Sequence, residues 1–152
     1  MPEIIISDAS CLIILSKIDR LELLQQVYGN VSTTPEIAAE FGEKIPDWIE
    51  IKEVKDKDKQ LLLEMQVDKG ESSAIALALE TENSKLILDD YKARITAERM
   101  GLKYTGTIGI LVKAKKDGII PSIKPILERI KQTDFRISTA LEAAALQAAN
   151  EG

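Results

Sequence analysis

The chain has 152 residues, 45% hydrophobic and 30% charged, which suits one soluble globular domain burying about two thirds of its unfolded surface. One cysteine and no histidine exclude an internal disulfide, a cysteine-built zinc site, histidine-ligated metals and histidine-based triads. The net charge of −5 hides an asymmetry, because residues 1–90 hold 9 Lys/Arg against 19 Asp/Glu whereas residues 91–136 hold 11 against 4.

In chain order, Ile4-Ile5-Ile6 is a β-branched apolar run that fits a strand buried on both faces, and it ends abruptly in Ser7-Asp8-Ala9-Ser10. Residues 11–28 read as one helix, continued by the spacing of Ile18, Leu21 and Leu24 and stopped at Gly29-Asn30. Val31–Thr33 is a brief strand. Thr34 caps a helix with Pro35 at its first position, running to Phe41 before Gly42. Residues 47–54 alternate apolar and polar as an edge strand does. Helices follow over 56–67 and 71–81, then a buried strand at Lys85–Leu88 that also ends in acids, Asp89-Asp90. The next helix stops at Gly101, Lys103-Tyr104 is a last short strand, and 106–117, 122–132 and 138–150 are helical. Strands alternating with helices predict a mostly parallel sheet covered on both faces. The alanine-rich helix 138–150 would pack either in cis or against a second subunit. No apolar run is long enough to span a membrane, and Glu3 with no basic n-region gives no sign of a signal peptide, so a cytoplasmic location is expected.

In a parallel sheet the carboxyl ends of strands share one edge, so Asp8 and Asp89-Asp90 can converge although far apart in sequence. Glu40 lies beside the apolar stripe of its helix, and Glu71 opens a helix just after Gly70. Each acid also has a plainer reading. Asp8 and one of Asp89 and Asp90 can be helix caps, Glu71 can answer a helix dipole, Glu40 can sit at a boundary, and Glu36 is an exposed first-turn acid. Several carboxylates on one edge repel unless a cation holds them, and oxygen-only donors select Mg²⁺ or Mn²⁺. Such an ion is the usual apparatus for attacking a phosphodiester, and it bridges an acidic pocket to a polyanion held by nearby basic residues. Lys92 and Arg94 are candidate backbone contacts, and Thr105-Gly106-Thr107-Ile108-Gly109 either offers N–H groups to phosphate or is a turn and cap. Lys113, Lys115 and Lys116 read individually as a solvated helix end.

The stretches IISDASCLIIL, PEIAAEF, GESSAIALA, LILDDYKAR and GLKYTGTIGIL, in this order and spacing, resemble a PIN domain, and more narrowly its VapC-like branch, catalogued as a domain of unknown function. The resemblance reaches to about Glu142. It implies a single three-layer α/β/α sandwich over 1–152 and a Mg²⁺- or Mn²⁺-dependent ribonuclease. It further implies an RNA substrate, a small antitoxin partner encoded nearby, and a homodimer. By position, Asp8, Glu40 and Glu71 take the first three acidic places, with Ser10 as hydroxyl neighbour and Thr107 supporting, while Asp89 and Asp90 share the fourth. Direct metal ligation falls to Asp8, Glu40, Asp89 and Asp90. VapC relatives usually have aspartate where Glu71 stands, so Glu71 would act through water. Two other readings are a non-catalytic PIN-like interaction module and a phosphoacceptor receiver domain, the latter needing a second acceptor aspartate for which Asp134 is the nearest candidate.

Overall fold

A computed structural model describes residues 2–152. The isoleucine run forms β1 (Ile4–Ser7), with Ile5 and Ile6 fully buried, each burial contributing roughly 1.5–3 kcal/mol. It is the centre of a five-stranded sheet completed by β2 (Val31–Thr33), β3 (Ile49–Ile51), β4 (Ser84–Ile87) and β5 (Tyr104–Thr105), in the order β3-β2-β1-β4-β5. Every pairing is parallel. The chain leaves β1 toward β2 and β3 on one side and later returns to β4 and β5 on the other. The carboxyl ends of β1 and β4 therefore meet at the switch point, where open α/β sheets form their ligand crevice.

Helices cover both faces, giving the expected three-layer α/β/α sandwich. On the chain's way between strands they are α1 (Ala9–Lys17), α2 (Leu23–Tyr28), α3 (Pro35–Phe41), α4 (Lys57–Leu63), α5 (Lys69–Glu80) and α6 (Tyr91–Arg99). After β5 come α7 (Thr107–Lys116), α8 (Lys124–Lys131) and α9 (Thr139–Ala148). Helix α5 packs on β1 and β4 and carries α3 and α4, while α2 packs on β2 and α7, and α7 carries α9. No described helix is long and apolar enough to cross a membrane.

The helix expected over 11–28 is two helices. Asp19 takes the left-handed conformation (φ 57°), and the amide of Arg20 reaches back to the carbonyl of Leu15 at 2.8 Å, closing a Schellman-type end after Lys17. An aspartate tolerates that conformation better than most side chains, and the apolar spacing runs across the break without registering it. Glu36, expected to be exposed, is instead half-buried and accepts a 2.5 Å hydrogen bond from the buried Gln60 amide, because α4 folds over the start of α3.

The C-terminal segment is tied down by Glu151. Its carboxylate accepts bonds from Ser122 Oγ (2.6 Å), the Ile123 amide (2.9 Å) and Lys115 Nζ (3.1 Å), which pull it down to a pKa of about 2. A carboxyl held below its unfolded value stabilises the fold above that value, near 4.5, and loses the contribution as pH falls toward 2. Urea unfolding midpoints at about pH 6 and about pH 3 should therefore separate less in Glu151→Gln than in the unsubstituted protein.

Candidate active site

The β1–β4 register pairs Ser7 with Ile87, so the next residues of both strands emerge side by side. Asp8 is only 4% exposed. Its Oδ1 accepts the Cys11 amide at 2.9 Å, capping α1, and its Oδ2 accepts the Asp89 amide at 3.1 Å from the neighbouring strand. The cap expected of Asp8 is therefore present, and it leaves the second oxygen to the neighbouring strand. Burial first, then the charges of Asp89 and Glu71, hold the Asp8 carboxyl well above the usual carboxylate range. Cys11 is fully buried behind it, and burial together with the Asp8 and Asp89 charges pushes its thiol up.

The two consecutive acids after β4 divide their tasks. Asp89 receives the Thr107 amide on Oδ1 (2.8 Å) and the Thr107 hydroxyl on Oδ2 (2.6 Å), joining β4 to the start of α7. Asp90 caps α6, its Oδ2 accepting the Ala93 amide at 3.0 Å. Thr107 thus spends both its amide and its hydroxyl on Asp89, and it is fully buried.

The glutamates gather at the N-terminus of α5. Thr34 Oγ accepts the Ile37 amide (3.2 Å) and lies 2.6 Å from Ser73 Oγ, which donates to the Gly70 carbonyl at 2.6 Å. This relay fixes α3 against α5. Glu40, exposed at the end of α3, lays its carboxylate over Gly70, where an added Cβ would stand 2.7 Å from Oε1. Partial burial and the charge of Asp68 raise its pKa. Glu71 is half-buried, and burial followed by the charges of Asp68 and Asp90 lifts it to about 7. Asp68 was not anticipated. It caps α5 by accepting the Glu71 amide at 2.8 Å, and the cap spacing Asp68–Glu71 was its legible signal.

The remaining candidates scatter. Ser10 lines a cavity with Glu40, Lys17 and Phe135 and makes no bond to Asp8. Arg94 lies beside Asp89, its Nε donating to the Leu88 carbonyl at 2.6 Å, whereas Lys92 lines a separate cavity with Met65, Tyr91 and Arg99. Lys113, Lys115 and Lys116 occupy the far end of α7, about 9 to 14 Å along the helix from Thr107, with Lys113 and Lys115 engaged by Asp117 and Glu151. Asp134 follows α8 and not a strand, so the acceptor that a receiver domain needs has no place here. Phe135 and Arg136, in the loop between α8 and α9, also face the Asp89 cavity, and no helix or strand pattern marked them.

Among the described residues no three acidic or thiol side chains close around one point as a finished coordination shell. The donor chemistry nevertheless fits a hard divalent cation: oxygen ligands only, and a buried carboxyl destabilised by neighbouring like charges. Mg²⁺ takes one or two carboxylates and keeps several waters, so it does not require a closed protein shell.

The fold is an α/β/α domain in which Asp8 and Asp89 stand side by side at the switch point of the sheet. A family model described as a PIN domain matches residues 4–151, and the chain belongs to the PIN domain family, whose members are generally metal-dependent nucleases. No curated protein and no solved structure matches it.

Gly70 offers a direct handle on the glutamate cluster. Gly70→Ala should leave stability unchanged or raise it by up to about 1 kcal/mol, since alanine is the better helix residue. At the same time the new methyl group should push the Glu40 carboxylate off α5, visible in a crystal structure of the variant.

Proposed function

We propose that this protein is a metal-dependent endoribonuclease and the toxin of a toxin–antitoxin pair. The observation that carries the reading is the juxtaposition of Asp8 and Asp89 at the switch point, with Glu71 and Asp90 electrostatically in range. Asp8, Asp89 or Asp90, and Glu40 would hold a Mg²⁺ or Mn²⁺ ion, with Glu71 reaching it through water. Such an ion supplies a water of lowered pKa and stabilises charge developing on phosphate oxygens.

The chain's own groups contribute position and hydrogen bonds. Each oxygen of Asp8 accepts one backbone N–H, which leaves a further lone pair on each and fixes the plane of the carboxylate. The Thr107 fork does the same for Asp89. Glu71, at the mouth beside Asp90, is the group suited to accept a hydrogen bond from the attacking water. Arg94, bearing a permanent charge next to Asp89, would attract the phosphate backbone.

Asp8→Asn tests the assignment. The asparagine oxygen can still accept the Cys11 amide but its NH₂ cannot accept the Asp89 amide, a loss on the order of 1 kcal/mol that leaves the fold intact. Cleavage of single-stranded RNA in Mn²⁺ should fall to background. Millimolar Mn²⁺ should raise the melting temperature of the unsubstituted protein and not of the variant. An unsubstituted protein that neither cuts RNA nor responds to Mn²⁺ would leave the non-catalytic interaction module as the better reading. Expression alone should arrest growth, relieved by the product of the adjacent reading frame.

A further inference from the structure

On the β5 side of the acidic strand ends a cavity of ≈ 430 Å³ opens, within the size range of small-ligand sites. Asp89 is among its lining residues and bonds Asp8 through its amide, so the cavity adjoins the pair of acids. Its other determinants are Arg94, Tyr104 and Gly106 on the sheet side and Phe135 and Arg136 on the loop that closes it.

Arg94 is held like a fixture and not like a surface arginine. Its Nε donates to the Leu88 carbonyl, and its guanidinium stands 5.5 Å from the centroid of the Tyr104 ring. It is partly buried, yet none of the ion pairs among the described residues involves it. Of its five N–H donors the Leu88 bond uses one. The rigid fork left over matches two oxygens of a phosphate. Gly106 permits this placement, since an added Cβ would run into Arg94 Nη2 and come within 3.0 Å of Asp89 Oδ1. Across the opening, Arg136 is exposed, and Phe135 is half-buried beside it. Phe135 also lines the cavity that holds Ser10 and Glu40, so it borders both cavities.

We infer that this cavity is a nucleotide subsite next to the scissile phosphodiester, where Arg94 and Arg136 grip a flanking phosphate and Phe135 stacks on the adjoining base. The inference rests on the ribonuclease reading and names where the strand lies: along α6 and the α8–α9 loop. Lys92, on the other side of α6, is not part of it.

The test is equilibrium binding of a short fluorescein-labelled single-stranded RNA in EDTA, followed by anisotropy across a salt series. Arg136→Ala, at an exposed position, should fold normally, weaken binding about tenfold and reduce the slope of log affinity against log salt by about 0.7, one phosphate contact. Phe135→Leu should weaken binding with the slope unchanged, and Arg129→Ala, on α8, should change neither. Arg136→Ala and Phe135→Leu proteins that bind as the unsubstituted protein does would overturn the subsite. So would Arg136-dependent capture of an acidic peptide by a protein that ignores RNA. The two readings fail separately: Arg136-dependent binding without any cleavage in Mn²⁺ removes the nuclease and leaves the cavity as a single-stranded RNA site with no scissile bond beside it, whereas cleavage indifferent to both variants removes the subsite alone.

Discussion

The hydrogen bond from the Asp89 amide to the Asp8 carboxylate is the contact on which the arrangement depends. Two neighbouring parallel strands deliver acids to the same edge, and like charges in a buried place cost free energy. The cost is offset by backbone donors. Asp8 takes one N–H from its own helix and one from the adjacent strand, and Asp89 takes an N–H and a hydroxyl from Thr107. The resulting chain of donors and acids ties α1, β1, β4 and α7 together at the point where the order of strands switches from one side of β1 to the other. Fold and site are therefore not separable at this edge, because the groups with chemical potential are also the connectors.

Much of the architecture was legible because β-branched runs and cap residues are local signals. The Ile4–Ile6 run reads as a central strand, and Thr34-Pro35 with Gly42 bounds α3 to the residue. What escaped was set by the backbone or by tertiary packing. The break after Lys17 depends on one aspartate adopting φ 57°, which periodicity cannot register, since Ile18 and Leu24 are buried on either side of it. Glu36 lost its solvent because α4 lies over it, a contact between segments some two dozen residues apart.

The candidate site divides in the same way. Acids at strand ends and at a helix start point to themselves through their position in the sequence pattern, which is how Asp8, the Asp89-Asp90 pair and Glu71 stand out as candidates. Asp68 serves as a cap while its charge acts on Glu40 and Glu71, an effect visible only once α3 and α5 are side by side. Phe135 and Arg136 lie outside any regular element, and only the path of the chain after α8 brings them to the cavity beside Asp89. The basic segment divides in space: Arg94 and Arg136 line the cavity that includes Asp89, while the lysines stand at the other end of α7, where Lys115 anchors Glu151.

The lone thiol behind Asp8 has a practical consequence. Cys11 is wholly enclosed, and its thiolate is disfavoured by burial and by two acids, so a soluble disulfide reagent cannot react with it in the folded chain. Labelling must wait for the β1–α1 corner to open, and with one cysteine there is no second site to confuse the signal. The protein thus carries a native clock at the foot of its acidic edge, whose rate reports how often the corner held by Asp8 comes apart.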